Sequence, residues 1–247
     1  MEIIFLGTNG WFDTRTGNTV CTLIKTATCN ILLDAGFGIA KADHYLDNRK
    51  PTYIFLSHLH LDHISGLHAL AKFRFSKKLV LYTVPGTLTV MKQFIAQPFT
   101  VPPQRLPFNM ELRAVSPRMR CSGVRINARE LLHSSRCMGY RFEYDNKAVA
   151  YCTDTGVCGN ALRLAENAAI LITECALRKG QDDEGWPHLD PTHAASMARD
   201  AGARRLVMTH FDAENYRSIA QRRRAQAQAR VIFPNSCAAY DGMRIRV

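Results

Sequence analysis

The stretch FLSHLHLDHISGL, at residues 55–67, places three histidines and one aspartate within six positions, directly behind an apolar run. That run predicts a buried strand, and side chains two apart in an extended segment lie on the same side. His58 and His60 are therefore predicted to converge on one ion, with Asp62 and His63 binding a second ion beside it. Imidazole and carboxylate groups suit Zn²⁺, Mn²⁺ or Fe. The alternative is a polar loop in which Asp62 caps a helix, but four ligand-type residues at this spacing favour a metal.

Short apolar runs recur along the chain, and they predict strands because many are β-branched or aromatic and are bounded by Gly, Asp, Asn or Pro. Helical patterns lie between some of these runs. The clearest spans 192–201, with Thr192 as the expected cap and Gly202 at its end. Strands interleaved with helices indicate an α/β fold of stacked sheets with helices packed outside. No linker or repeat divides the sequence, so residues 1–247 are predicted to form a single domain.

The composition of the chain indicates the cellular compartment in which the protein is expected to reside. No basic-then-apolar leader precedes the first predicted strand, and no apolar run approaches the roughly 20 residues that cross a bilayer. The eight cysteines include no CxxC pair, a pattern typical of buried thiols in a reducing compartment. These features predict a cytoplasmic protein with no membrane partner.

The formal net charge of +11 favours anionic, phosphate-bearing partners, nucleic acid among them, through long-range attraction. The same excess also fits a protein that simply exposes many arginines. The densest basic run, QRRRAQAQAR at 221–230, is typical of a solvated helix face. Basic residues at 72–78 and 113–129 are candidates for an anionic-substrate surface, although the sequence does not show that they converge.

The segment HLHLDH matches the HxHxDH signature of the metallo-β-lactamase superfamily, and the resemblance continues in order along the chain. ILLDAG, which contains Asp34, resembles the strand-end aspartate that precedes this signature in the family. LLHSS offers His133, YCTDTG offers Asp154 and LVMTHF offers His210, each at the end of a predicted strand. The resemblance implies the metallo-β-lactamase fold, a four-layer αββα sandwich of two mixed sheets with helices on the outer faces.

The resemblance also implies a dinuclear metal centre. By this resemblance, His58, His60 and His133 would bind one ion, and Asp62, His63 and His210 would bind the other. Asp154 would bridge the two ions. Asp34 would hydrogen-bond one of these ligands and fix its orientation. Asp62 would serve catalysis as well as metal binding. The two divalent ions are expected to be zinc, with manganese or iron as alternatives.

Two further segments, ITECAL at 172–177 and HLDPTHAASMARDAG at 188–202, resemble the ribonuclease Z branch, a phosphodiesterase group. By that resemblance, Glu174 and His188 form a dyad that protonates the leaving alkoxide, a role that suits phosphodiester cleavage. The alternatives are a loop histidine after GWP for His188 and a buried, hydrogen-bonded carboxylate for Glu174.

Two departures separate the chain from that branch. Ribonuclease Z usually carries a tRNA-binding arm between the segments that correspond to His133 and Asp154, but residues 134–153 leave room only for a hairpin turning at Asp145 and Asn146. GTNGWFDTRTGNT, which follows the first strand, also replaces the branch's usual GTG-type start. These departures argue against precursor-tRNA 3′ processing and leave phosphodiester hydrolysis as the prediction.

The leading hypothesis is therefore a dinuclear metal hydrolase that uses a metal-bridging hydroxide on a small-molecule, nucleotide or nucleic-acid-type phosphodiester. One alternative is the same centre acting on a lactone, thioester or other acyl substrate. Another is a metal-bearing, nucleic-acid-binding scaffold without catalysis. No substrate-binding residue is assigned: Arg15 and Trp11 of the N-terminal loop could meet substrate or serve structure, and His44, His68 and His193 receive no role. A homodimer is compatible with the family, but no segment indicates an interface.

Overall fold

Strands and short helices alternate along the described residues, 1–181 and 185–247, of the computed structural model. The strands before residue 115 are β1 (Glu2–Gly7), β2 (Asn9–Gly10), β3 (Cys21–Lys25), β4 (Asn30–Leu33), β5 (Thr52–Phe55), β6 (Leu79–Thr83) and β7 (Met110–Ala114). Those that follow are β8 (Arg118–Cys121), β9 (Val124–Leu131), β10 (Cys137–Tyr144), β11 (Lys147–Cys152), β12 (Ile170–Glu174), β13 (Leu206–Thr209), β14 (Phe211–Asp212), β15 (Ser236–Ala238) and β16 (Arg244–Arg246). The α-helices are α1 (Leu61–Ile64), α2 (Leu88–Phe94), α3 (Gly159–Ala165), α4 (Pro191–Asp200) and α5 (Ile219–Ile232). Short 3-10 helices span Phe37–His44, Ser65–Lys72 and Pro103–Arg105.

The described strands form two seven-stranded mixed sheets and one two-stranded sheet. The first sheet has the order β16-β1-β3-β4-β5-β6-β7, antiparallel as far as β4 and parallel from β4 onward. The second has the order β15-β13-β12-β11-β10-β9-β8, parallel from β15 to β11 and antiparallel beyond it. The small sheet pairs β2 with β14, and so joins the loop after β1 to the segment after β13.

Alternation of side chains along the strands separates the apolar residues into three buried layers. Ile3 and Phe5 of β1 point between the two sheets, where they pack with Phe55, Tyr140 and Phe142 in a core that both sheets share. The intervening residues of β1 point to the outer face of the first sheet, which is covered by α2 and two of the 3-10 helices. The outer face of the second sheet is covered by α3, α4 and α5. The predicted four-layer αββα sandwich is confirmed.

The residues that follow the parallel strands turn sharply at the strand ends. Asp34 follows β4, Asp154 lies just beyond β11 and His210 follows β13. All three have left-handed backbone, with φ of 57°, 54° and 48° in that order. Residues other than glycine seldom adopt this conformation, and where they do the position is often functional. The left-handed residues of the described chain thus include three that the sequence motifs assign to the site.

A tight hairpin joins β10 to β11, between the segments that carry His133 and Asp154. Its loop residues Asp145 and Asn146 have φ of 51° and 56°, the conformation of a type I′ turn, which matches the twist of the paired strands. The hairpin predicted from the sequence is confirmed. Residues 134–153 therefore contain no inserted arm.

The helices begin at residues that satisfy their free backbone amides. α4 begins after Asp190, whose carboxylate accepts hydrogen bonds from two backbone N–H groups of the first turn. The prediction that Thr192 caps this helix is therefore wrong, because Pro191 occupies the first helical position. α5 begins with a capping box between Ser218 and Gln221. Among the described residues, no helix has the length and apolar character needed to span a bilayer.

Arg222 on α5 is buried, with only 1% of its surface exposed. Its guanidinium donates hydrogen bonds to the hydroxyls of Thr8 (2.8 Å) and Thr16 (3.2 Å) and to the side-chain oxygen of Asn9. The guanidinium also lies over the Phe211 ring, 4.8 Å from the centroid. Burial lowers the pKa of Arg222 to about 10, which still leaves it charged at neutral pH. The predicted solvated face of α5 is thus wrong at this position, where the helix holds the loop after β1.

Replacing Arg222 by methionine should lower the free energy of unfolding by about 2–4 kcal/mol, because the buried acceptors of the N-terminal loop would lose their donor. Urea denaturation followed by circular dichroism measures the change. The matched control is Arg223→Met, which removes the same charge from an exposed neighbour and should cost less than about 0.5 kcal/mol. Equal losses in the two variants would contradict a structural role for the buried guanidinium.

Candidate metal centre

The histidine motif leaves β5 and enters a single-turn helix. His58 lies just beyond the strand, His60 is the N-cap residue of α1, and Asp62 and His63 lie within that helix. His58 and His63 are buried, whereas His60 and Asp62 are partly exposed. The helical turn brings His63 back toward the strand end, where its ring centroid lies 4.1 Å from that of His58.

The buried carboxylate of Asp34 holds this motif in place. It accepts hydrogen bonds from the backbone N–H and the hydroxyl of Ser57, at 2.7 and 2.9 Å, and from the hydroxyl of Tyr151 on the second sheet, at 2.7 Å. Nδ1 of His63 lies 3.0 Å from Oδ2 of the same carboxylate. Because this contact occupies Nδ1, Nε2 of His63 is left to face the centre of the cluster. The contact expected between Asp34 and a ligand-type histidine is present.

The sequence does not single out Ser57, although this residue directly precedes the first histidine. Its hydroxyl lies 3.0 Å from Nδ1 of His58 and 3.2 Å from Nδ1 of His63. Ser57 therefore helps to orient both rings. A hydroxyl next to a ligand-type histidine was the available signal, but the partners of that hydroxyl become visible only in the folded chain.

Donor atoms of Asp62, His63 and His210 lie 3.1–3.4 Å from one another, and Oδ2 of Asp154 lies at similar distances from both histidine nitrogens. Nε2 of His63 lies 3.1 Å from Nε2 of His210 and 3.2 Å from Oδ2 of Asp154. Oδ2 of Asp62 lies 3.1 Å from the His210 nitrogen and 3.4 Å from the His63 nitrogen. Zinc bonds of 2.0–2.1 Å in a tetrahedral array separate ligand atoms by about 3.3 Å. This donor set therefore fits a divalent cation.

Three histidines form a second group beside the first. The ligand atoms of His58, His60 and His133 lie within 4.8 Å of one another. Nδ1 of His58 is held by the neighbouring serine hydroxyl, and its buried Nε2 has no hydrogen-bond partner among the described residues. A buried polar atom without a partner is costly unless a ligand satisfies it. This group fits a second cation.

Asp154 lies between the two groups. Its Oδ2 is 3.2 Å from Nε2 of His63 and 3.4 Å from Nε2 of His210. Its Oδ1 is 4.0 Å from Nε2 of His133, which belongs to the other group. One carboxylate therefore directs a separate oxygen toward each group.

The charges in the cluster keep its carboxylates and the His58 ring in the forms that bind a cation, whereas the same carboxylates raise the pKa of His63 and of His210, so these two rings would release a proton when an ion binds. Burial would raise the pKa of Asp154, but His210, His63 and His58 together hold that pKa well below its usual range. The pKa of Asp62 is also lowered, because His63 and His210 outweigh its burial. Burial lowers the pKa of His58 well below its usual range, so this ring is neutral at neutral pH. Anionic carboxylates and a neutral imidazole are the ligand forms.

The loop after β1 closes one side of the cluster. A Cβ atom at Gly10 would lie 2.5 Å from the ring of His210, so this close approach requires glycine. The backbone N–H of Trp11 donates a hydrogen bond to Oδ2 of Asp62 at 2.8 Å. The N-terminal loop thus borders the site through its backbone, whereas the side chain of Arg15 is exposed.

Glu174, the last residue of β12, forms a hydrogen-bonded pair with His188 beside the cluster. Nδ1 of His188 lies 2.8 and 2.9 Å from the two carboxylate oxygens of Glu174. The buried carboxylate also accepts hydrogen bonds from the backbone N–H groups of Thr155, at 2.6 Å, and Leu189, at 3.2 Å. The ring centroid of His188 lies 5.2 Å from that of His133. The pairing predicted for Glu174 and His188 is therefore present, and it lies next to the two groups of candidate metal ligands.

The carboxylate of Glu174 favours the charged form of His188. Burial lowers the pKa of His188, but Glu174 outweighs this effect and raises the pKa to about 9. Because Nδ1 donates to Glu174, the proton on Nε2 is the one available for transfer. The other histidine of this segment, His193, is exposed and contacts Asp190 instead. The remaining histidines without a predicted role, at 44 and 68, are also exposed.

A cluster of histidines and aspartates at the edge of an αββα sandwich defines the metallo-β-lactamase type of fold and site. The family model described as the beta-lactamase superfamily domain matches residues 29–211. The chain therefore belongs to this superfamily, and the membership predicted from the histidine motif is confirmed.

Known proteins similar to this chain include a ribonuclease and two solved structures. Ribonuclease BN of Salmonella gallinarum is 27% identical over 309 aligned residues, which cover 98% of each chain. The metallo-β-lactamase fold protein YhfI of Bacillus subtilis superposes with a TM-score of 0.84 at 21% identity, covering 99% of this chain and 98% of that one. The short form of human tRNase Z gives a TM-score of 0.79 at 22% identity, covering 100% and 99%. The alignment with Ribonuclease BN is longer than this chain, so that relative contains insertions that this chain lacks.

Replacing Asp34 by asparagine should weaken zinc binding by about 10- to 100-fold, because the amide cannot hold both Ser57 and His63 as the carboxylate does. Competition with a chromogenic chelator measures the affinity, and circular dichroism checks that the variant is folded. Asp200→Asn, at the exposed end of α4, is the control and should bind zinc as the unaltered protein does. Unchanged affinity in Asp34→Asn would show that its carboxylate does not orient a ligand.

Proposed function

We propose that this chain is a metal-dependent phosphodiesterase with two divalent ions at the clustered residues. His58, His60 and His133 would hold one ion, and Asp62, His63 and His210 would hold the other. Asp154 would contribute to both. The observation that carries the proposal is the position of Asp154, which directs one oxygen toward each group. Nitrogen and oxygen donors at these separations favour zinc, with manganese or iron as alternatives. In this proposal residues 1–247 act as one domain.

When bound, the two ions would supply an activated water molecule and positive charge for the phosphate oxygens. The residues of the chain supply the rest. Asp34 and Ser57 hold the histidine rings in position before substrate arrives, so little reorganisation is needed during the reaction. Asp62, held by the Trp11 backbone, orients the attacking water. His188 donates the Nε2 proton to the departing alkoxide, while the carboxylate beside it keeps the ring oriented and charged.

The Glu174–His188 pair favours a phosphodiester over an acyl substrate. An alkoxide is a poor leaving group and gains from a proton donor, whereas a thiolate leaving a thioester has little need of one. The pair lies beside the cluster, with its His188 ring 5.2 Å from that of His133, where a departing group would meet it. The names of two similar proteins, Ribonuclease BN and tRNase Z, support a substrate of the nucleic-acid type.

The proposed substrate is a small-molecule or nucleotide phosphodiester, or a short nucleic-acid segment, rather than a folded tRNA. The two-residue turn at Asp145 and Asn146 leaves no arm to grip a large RNA. The net charge of +11 supports an anionic substrate of any size. All eight cysteines are free thiols, which supports the proposal that the protein acts in the reducing cytoplasm.

Replacing His188 by alanine should slow cleavage of a diester with an alkyl leaving group by about 100-fold or more, because that group needs a proton. Cleavage of bis(p-nitrophenyl) phosphate, whose leaving group needs none, should fall far less. The acid form of His188 is fully present below its pKa of about 9 and is lost as the pH rises through that pKa. Bound ions oppose protonation and so lower this pKa. The advantage of the unaltered protein should therefore be lost as the pH rises, with a midpoint at or below about pH 9.

Values of kcat/KM on purified protein with counted metal ions measure these effects, and His193→Ala, outside the cluster, is the matched control. Equal losses on both diesters would remove the general-acid role. Turnover of a lactone, thioester or β-lactam, but of no diester, would overturn the phosphodiesterase proposal. Fewer than one ion per chain, in protein prepared without chelator, would overturn the metal centre itself.

A further inference from the structure

Both tryptophans of the chain are exposed and lie beside the metal-type cluster, the two groups of candidate metal ligands on either side of Asp154. Trp11 is 64% exposed and its backbone contacts Asp62; Trp186 is 48% exposed. The ring centroid of Trp186 lies 5.3 Å from that of His60 and 6.0 Å from that of His133. Large aromatic side chains are mostly buried, and exposed ones that gather at a site indicate a ligand.

Rigid neighbours present the Trp186 ring to the cluster. Pro187 restricts the backbone between Trp186 and His188. A Cβ atom on Gly156 would lie 3.1 Å from Cβ of Pro187 and 3.2 Å from Cδ2 of Leu132, so the missing side chain lets these segments pack closely. Leu132 is itself half exposed and extends the apolar surface. The indole, the leucine and the Glu174-linked histidine therefore lie on the same side of the cluster.

We propose that Trp186 stacks on a nucleobase of the substrate, next to the scissile phosphodiester; this role rests on the proposed function. The indole adjoins His60 and His133, so a base on its open surface would lie one sugar away from a phosphate at the cluster. Every nucleobase has a π-face, and stacking on an aromatic side chain is a general way to bind it. A ring that only shielded the histidines would be covered, whereas nearly half of this one is open.

Tryptophan fluorescence gives a readout of this contact that does not depend on turnover. In the Trp11→Phe protein, Trp186 is the sole tryptophan, so the emission reports on the stacking position alone. Adenosine 5′-monophosphate should quench this emission to saturation, because the base contacts the indole. Ribose 5-phosphate, which carries the same phosphate without a base, should leave the emission unchanged.

Replacing Trp186 by leucine should raise the KM for a nucleoside diester by about tenfold and leave kcat nearly unchanged, because the base loses its stacking partner. The KM for glycerophosphoglycerol, a diester with neither an aromatic nor a cationic group, should not change. Trp186→Phe keeps a flat ring and should restore most of the affinity. Leucine retains apolar bulk, so the comparison isolates stacking from loss of volume.

Equal quenching by the two phosphates, or an equal rise in KM for both diesters, would overturn the stacking role and leave the phosphodiesterase intact. Quenching by adenosine monophosphate in a protein that cleaves no diester would uphold the base-binding site and overturn the proposed function.

A second observation, independent of the first, concerns a cavity of about 960 Å³ at the opposite edge of the second sheet. Its lining includes Lys147 at the start of β11, Ile170 at the start of β12 and Arg205 just before β13. These three strands are parallel, and their other ends lead to Asp154, Glu174 and His210. At about 3.3 Å per residue, the strands place the cavity roughly 15–20 Å from the cluster.

The lining of this cavity has an excess of positive charge. Of its two acidic side chains, Glu143 pairs with Arg125 at 3.1 Å and with Arg141 at 2.7 Å, and Asp145 has no basic partner within 4.0 Å among the described residues. Five further basic residues of the lining have no carboxylate within 4.0 Å in the described part of the chain: Arg120, Lys147, Arg204, Arg205 and Arg246. Nε of Arg205 is moreover buried and has no acceptor among the described residues. Unpaired cationic groups that converge on one cavity call for an anion.

The geometry points to a binding site for a small ligand with two or more linked phosphate groups. A single phosphate would engage one or two of the unpaired cations, whereas a phosphate chain could reach several at once. The cavity volume also accommodates a ligand of that size. This site is separate from the metal-type cluster and does not depend on the proposed activity.

Calorimetric titration of inorganic tripolyphosphate into the metal-loaded protein counts its binding sites. The double variant Lys147→Ala/Arg204→Ala removes two exposed, unpaired charges from the cavity. The affinity of one tripolyphosphate site should fall by about tenfold or more, and diester turnover should be unchanged. The matched control, Arg223→Ala/Arg224→Ala, removes equal charge from the exposed surface of α5 and should bind normally. Unchanged binding in the cavity variant, or equal weakening in both variants, would exclude the site.

Discussion

The buried carboxylate of Asp34 is the contact on which the rest of the site depends. It belongs to the first sheet, accepts a hydrogen bond from Tyr151 of the second, and fixes both Ser57 and His63. A carboxylate in so buried a position is tolerated only when hydrogen bonds satisfy its oxygens. Asp34 meets that condition by joining the two sheets to the histidine motif. The packing of the sandwich and the orientation of the donor atoms therefore depend on the same residue.

Parallel strands explain why so much chemistry gathers at one edge. Parallel strands of one sheet end on the same side. β11, β12 and β13 therefore bring Asp154, Glu174 and His210 together, whatever the lengths of the connections between these strands. Left-handed backbone at Asp154 and His210 then turns the chain away at once. The β10–β11 hairpin lies at the far end of these strands. Its length can therefore differ between relatives while the cluster is preserved.

The positions of the candidate residues at strand ends could be predicted because each follows an apolar run, which carries its signal locally, whereas the αββα sandwich and the grouping of the ligands followed from the resemblance to the metallo-β-lactamase superfamily. His58, Asp154 and His210 are of this kind. Gly10 could not be assigned in this way, since its need for glycine arises from a histidine two hundred residues away. Arg222 shows most clearly what could not be predicted from the sequence. A basic run on a helix is expected to be solvated until the fold brings the polar loop after β1 against one of its members.

The distribution of charge bears on how a substrate would be selected. The metal-type cluster holds buried carboxylates and histidines, whereas five unpaired basic side chains face the cavity at the other edge of the second sheet. Part of the net charge of +11 therefore lies away from the place where the proposed chemistry occurs. In the proposed mechanism, affinity at the cluster comes from the ions and from one indole face, and an indole accepts any base. Selectivity would then rest on size, because the short β10–β11 turn provides no second surface to hold a large RNA.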